Sequence, residues 1–248
     1  MELTKKKNIT TLAVVLTDEK EKYHDYSSCI MQTIQRPKTK NKLSVLILAT
    51  PRTGSAYFCG MLVKRLKMEG ITDCGPHDIY EAFEWSKLSK FLDTFQLDFE
   101  EYFLEISQQE IFMAKCHLHH LLFWKKLGHN IFERFDLICY LERSDSMAQS
   151  KSHVIAAKTG CFTSHTGSLA NGSDVWGSKY VMEQEKIEIP HIDEDEIYRQ
   201  TARRLKNIDE TDAYLKQVKH VYQFESFTQS DDQIIEFSEL VKEEYRKK

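Results

Sequence analysis

The chain has 248 residues, with 34 Lys and Arg against 38 Asp and Glu for a formal charge of −4, and 41% of its residues are hydrophobic. That length predicts one domain, or one domain with an extension, and the apolar content excludes a globally disordered chain. The slightly acidic balance excludes a protein whose main business is coating nucleic acid, yet it leaves room for local basic pockets that take small anions.

Residues 1–42 read as an N-terminal extension ending in a basic linker. A β-prone segment at 9–16 precedes a polar helical stretch and then Arg36-Pro37-Lys38-Thr39-Lys40-Asn41-Lys42. Lys5-Lys6-Lys7 followed by Leu12-Ala13-Val14-Val15-Leu16 imitates a signal peptide. Its apolar run is too short, and Asp18-Glu19-Lys20-Glu21-Lys22 stands where a small-residue cleavage site belongs. No stretch approaches the ~20 apolar residues of a spanning helix. The six cysteines form no CxxC pair, and several lie in apolar runs as free thiols would in a reducing compartment. The expectation is a cytoplasmic protein with no membrane span.

The stretch 43–248 reads as an α/β domain with a central, mainly parallel sheet. Leu43-Ser44-Val45-Leu46-Ile47-Leu48-Ala49 is a near-continuous apolar run of strand length, the pattern of a strand buried on both faces. Thr50-Pro51-Arg52-Thr53-Gly54-Ser55 breaks it, and helical spacing of Phe58, Met61, Leu62 and Leu66 follows over 56–68. Further strands are expected at 111–116, 135–141 and 220–224. Helices are expected at 98–109, 117–127, 145–158, 193–217 and 231–245. Between 160 and 192 lies a long Gly-, Ser- and Thr-rich segment of the kind that forms lids or binding loops.

A loop from the end of a parallel strand into a helix offers backbone N–H groups and the positive end of the helix dipole to an anion. In this loop Gly54 allows close backbone approach, Thr53 and Ser55 bring hydroxyls, and Arg52 brings a planar cation suited to phosphate or sulfate. The loop contains no Lys, so it is not a GxxxxGK[ST] phosphate loop, and no carboxylate is placed to hold a metal. It reads equally well as a plain strand–helix turn with an N-cap Ser. A second set follows the strand ending at Leu141: Glu142-Arg143-Ser144-Asp145, then Gln149 and Ser152. Arg143 would lie beside the first loop, Ser152 could help hold a second phosphate, and Ser144 or Asp145 would cap the helix.

Together, Leu48-Ala49-Thr50-Pro51-Arg52-Thr53-Gly54-Ser55 and Leu141-Glu142-Arg143-Ser144-Asp145-Ser146-Met147-Ala148-Gln149-Ser150-Lys151-Ser152 resemble bacterial carbohydrate sulfotransferases of the trehalose 2-sulfotransferase type. Ile111-Phe112-Met113-Ala114-Lys115 resembles a third motif, a strand ending in Lys, and Tyr222-Gln223-Phe224-Glu225 a late strand motif. The resemblance covers about 43–162 and more faintly 193–228. It implies a P-loop-kinase-like three-layer fold and the sulfate donor 3′-phosphoadenosine-5′-phosphosulfate (PAPS). Pro51, Arg52, Thr53, Gly54, Ser55 and Ala56 would bind the 5′-phosphosulfate, and Arg143 and Ser152 the 3′-phosphate. The acceptor would be a hydroxyl of a small carbohydrate or glycolipid, no metal would take part, and a dimer is favoured.

Arg52 would neutralise charge on the leaving group, and Asp78 falls on the general-base position. The family has Pro-x-Glu there, whereas this chain has Pro76-His77-Asp78, shorter by one methylene (~1.5 Å of reach). Glu81 and His77 are the alternatives for that role. Competing readings are a catalytically inactive nucleotide- or sulfosugar-binding module and a nucleotide-dependent kinase. A metal hydrolase on His117-Leu118-His119-His120 is disfavoured, because on a helix His117 and His119 would diverge by about 200°.

Overall fold

The computed structural model describes residues 41–75, 103–159 except 105 and 127, and 191–248. Five strands form one all-parallel sheet: β1 (Leu43–Ala49), β2 (Cys74–Gly75), β3 (Ile111–His117), β4 (Leu137–Glu142) and β5 (His220–Gln223), in the order β2-β3-β1-β4-β5. Around it lie α1 (Ser55–Met68), α2 (Leu118–Lys126), α3 (Ser146–Thr159), α4 (Glu194–Leu215), the single turn α5 (Phe224–Phe227) and α6 (Asp232–Arg246). The described residues form a three-layer α/β structure.

Strand periodicity explains the layers. Every residue of β1 is buried, so its side chains feed two cores alternately. Leu43, Val45, Ile47 and Ala49 join Ile111, Met113, Leu137, Cys139 and Leu141 with Phe58 and Leu62 of α1 and Ile234 and Phe237 of α6. Leu46 and Leu48 join Phe112, Ala114, Cys116 and Tyr140 with Leu121 and Trp124 of α2, and Ile208 and Leu215 of α4 pack against them. Phe58 anchors the first core, edge-on to Phe227 at 5.2 Å and beside Phe237 at 5.9 Å. Burying one such ring contributes ~1.5–3 kcal/mol.

The helix leaving β1 therefore lies on one face and the helix leaving β3 on the other. α3, leaving β4, packs antiparallel on α4, with Thr201 Oγ1 2.8 Å from Ser150 Oγ and Lys158 paired to Glu196 at 2.9 Å. Where adjacent connections depart to opposite faces, the carboxyl edge of a parallel sheet opens a crevice. The loops after β1 and β4 meet there.

The amino edge is tied by polar contacts. Asp136 accepts from Ser44 N at 2.9 Å and Ser44 Oγ at 2.8 Å and pairs with Lys248 at 2.7 Å. Glu110 pairs with Lys42 at 2.8 Å and accepts from Tyr245.

Several boundaries depart from expectation. Strand β4 starts at Leu137 rather than 135, because a 3₁₀ turn at Ile131–Arg134 leads into it and Asp136 is engaged with Ser44. β5 ends at Gln223, where Phe224 opens α5. Of the expected helix at 98–109, residues 103, 104 and 106–109 are described; Phe103, Leu104 and Ile106 are helical, and the chain has left helix by Ser107. His117 was expected on a helix and is the last residue of β3, paired in register with Ala49. Strand β2 has no counterpart in the expectations. No helix among the described residues is long and apolar enough to cross a membrane. Residues 1–40 and 160–190, with most of the expected extension and binding loop, lie outside the described residues.

Candidate anion-binding site

The loop after β1 is built around two left-handed residues. Arg52 has φ 70° and Gly54 φ 69°. For glycine this conformation is ordinary. For arginine it costs about 1–2 kcal/mol and persists only where neighbours fix it.

The fixing groups come from the β4–α3 segment. Arg143, the first residue after β4, donates Nη1 to the Arg52 carbonyl at 3.1 Å. Gln149, 2% exposed on α3, donates Nε2 to Thr50 Oγ1 at 2.7 Å and to the Pro51 carbonyl at 2.6 Å. Arg52 Nε reaches Ser152 Oγ at 2.9 Å. The residues that the sequence assigns to two phosphate subsites thus meet in one crevice.

The electrostatics of this crevice favour an anion. Burial, and then the charge of Arg143, hold the Arg52 guanidinium below its usual pKa. The Arg143 guanidinium carbon lies 4.3 Å over the Phe224 ring, and its Nε is buried without a hydrogen-bond partner. Two nearby guanidinium groups and an unsatisfied buried donor are relieved together by one multivalent oxyanion.

The two helix N-termini differ. No side chain caps α1: its N-cap is Gly54, and Ser55, expected to cap, is the first helical residue. Ala56 follows in the same uncapped first turn. By contrast, α3 is capped by Asp145, which accepts from Ala148 N at 2.8 Å, and Glu225 accepts from Ser144 N and Asp145 N at 3.4 Å each. Burial works against ionisation of Glu225, but hydrogen bonds from its own backbone, Ser144 and Asp145 outweigh it and hold the carboxyl below its usual range. The dipole of α1, rather than that of α3, is open to a ligand.

Two expected roles change. The Thr53 side chain is fully buried and donates to the Thr50 carbonyl at 2.9 Å, so its hydroxyl braces the loop from inside. Gly54 was assigned to ligand approach. A Cβ there would come within 2.9 Å of the Phe224 ring and 3.2 Å of Phe227, so the glycine also admits α5 against the loop.

Histidines line the neighbouring wall. His117 Nδ1 lies 3.3 Å from the Ala49 carbonyl, an oxygen that can only accept, so the hydrogen bond is made by a proton on Nδ1. The His117 and His119 rings stack at 5.7 Å, against the divergence expected of a helix. No group of three or more His, Cys, Asp or Glu among the described residues is arranged to hold a metal ion. On α3, burial, then the charges of Arg52 and His117, keep His153 below its usual pKa.

No family model and no curated protein matches the chain. Asp78, Glu81 and His77 lie outside the described residues. Gln149 and Glu225 stand in stretches that the resemblance covers, which gives neither one a supporting role within the loops. Gln149 stands three positions before Ser152, on the same helical face, and that spacing was available as a signal.

Proposed function

We propose that the chain is a PAPS-dependent sulfotransferase acting on a hydroxyl of a carbohydrate or glycolipid. The observation that carries this reading is the meeting of Arg52 and Arg143, just past adjacent strand ends, with Ser152 of α3, beside the uncapped start of α1. PAPS would supply the activated sulfuryl group. Arg52 and the first-turn amides of α1 would bind the 5′-phosphosulfate and offset negative charge as it accumulates on the leaving oxygen. Arg143 and Ser152 would bind the 3′-phosphate and discriminate against ATP. Asp78 takes the acceptor proton in this reading, a general-base contribution of ~10²–10⁴-fold.

The first test is ligand stabilisation. Adenosine 3′,5′-bisphosphate at about 100 Kd is expected to stabilise the fold by ~2.7 kcal/mol, with AMP and ATP far behind at equal concentration. Equal effects of AMP and the bisphosphate would remove the 3′-phosphate site. Transfer of labelled sulfate from PAPS to a panel of sugars and glycolipids is expected to survive EDTA. Activity lost with chelator and restored by magnesium would favour the kinase reading, and binding without transfer to any acceptor the inactive module.

A further inference from the structure

We infer that Gln149 is a positioning residue that, with Arg143, turns the β1–α1 loop into a nest of amides directed away from α3, so that anion recognition by the first loop is set from α3. The inference rests on reading that loop as an anion site.

The argument starts from peptide geometry. No cis bond occurs in the described residues, and in a trans peptide the C=O and the following N–H point in opposite directions. The Pro51 carbonyl is drawn toward α3 by Gln149 Nε2 at 2.6 Å. The next carbonyl, Arg52, is drawn toward the same segment by Arg143 Nη1 at 3.1 Å. The amides paired with these carbonyls, Arg52 N–H and Thr53 N–H, are therefore turned away from α3. Successive amides turned to one side around a left-handed residue form a concavity that binds anions. Arg52 supplies that residue at φ 70°.

Gln149 suits the task chemically. It is 2% exposed and uses both hydrogens of one amide nitrogen on the loop. The second hydrogen bond, to Thr50 Oγ1, locks the side chain in place. Thr50 in turn offers its carbonyl to Thr53 Oγ1, so the loop is closed on itself from Thr50 to Thr53. Glutamate has the same shape but brings an acceptor to the Pro51 carbonyl; methionine has similar length and donates nothing.

The experiment uses the full chain with Gln149→Met and Gln149→Glu. Amide hydrogen exchange over residues 52–56 is measured alongside calorimetric binding of adenosine 3′,5′-bisphosphate and inorganic pyrophosphate. Gln149→Met is expected to speed exchange in the loop about tenfold while leaving β3 and α6 unchanged. It should also weaken both ligands about tenfold. Gln149→Glu should behave likewise at pH 8 and recover toward wild type, as a ratio at each pH, near pH 6, where a buried carboxyl regains a proton and one donor. Unchanged loop exchange in both variants, or faster exchange with ligand affinity intact, overturns the inference. Should wild type bind pyrophosphate but not the bisphosphate, the sulfotransferase reading fails while the inference stands; binding of neither ligand overturns both.

Discussion

Gly54→Ala tests the loop by strain and packing together. At φ 69° a Cβ costs about 1–2 kcal/mol. The same Cβ would stand 2.9 Å from two Phe224 ring carbons and 3.2 Å from Phe227, so α5 has to move, an overpacking cost of about 1–3 kcal/mol. Phe227 is fully buried against Phe58, which limits how far that turn can yield. The sum is ~2–5 kcal/mol, to be read from urea unfolding midpoints at constant m-value. Removing the ring separates the two contributions. In the Phe224→Ala background the 2.9 Å clash is relieved and only the 3.2 Å approach to Phe227 remains, so Gly54→Ala should then cost little more than the ~1–2 kcal/mol of backbone strain. A Gly54→Ala protein within about 0.5 kcal/mol of wild type would refute both the conformational and the packing argument.

Other expectations follow from single contacts. Asp136→Ala leaves the buried Ser44 N–H without its acceptor and should lower stability by about 1–3 kcal/mol in denaturant titrations. Burial opposes ionisation of Asp136, but hydrogen bonds from Lys248 and Ser44 outweigh it and hold its carboxyl below the usual range. Its contribution is therefore complete above the unfolded carboxylate pKa of about 4 and is lost as pH falls through the lower folded value. Asp136→Asn should flatten that acid limb, and an unchanged limb would exclude this carboxylate as its source. Ser152→Ala should weaken adenosine 3′,5′-bisphosphate by about tenfold and AMP by far less in calorimetry, since a hydrogen bond to a charged group contributes ~1.5–3 kcal/mol. Glu225→Gln should loosen the first turn of α3, seen as faster amide exchange at Ser144 and Asp145 with β1 unaffected.

What could be read without coordinates was governed by local pattern. β1 announces itself because both of its faces are buried, and α1 and α6 because their apolar residues recur at helical spacing. The two-residue β2 exists only through its pairing with β3, and so short a segment has no period to detect. His117 extends a strand because Ala49 offers it a partner in register, which outweighs the helical look of the residues after it. The pairing of the two arginines could be anticipated from their places at strand ends. The inward turn of Thr53 and the contact of Gly54 with Phe224 could not, because each depends on how the loop closes or on a ring far along the chain.

The place of β1 at the centre of the sheet has a consequence for biosynthesis. It is the first described strand to leave the ribosome, yet both of its neighbours are made much later. Ala49 meets His117 68 positions on, and Ser44 is joined to Asp136 92 positions on. Until then a seven-residue strand, apolar toward both layers, has two open edges. Non-local pairing of this kind is slow and leaves sticky surface exposed in the meantime. During translation the same seven residues are thus, among the described ones, a segment that a chaperone would recognise early, and the arrival of β4 is the event that ends the exposure.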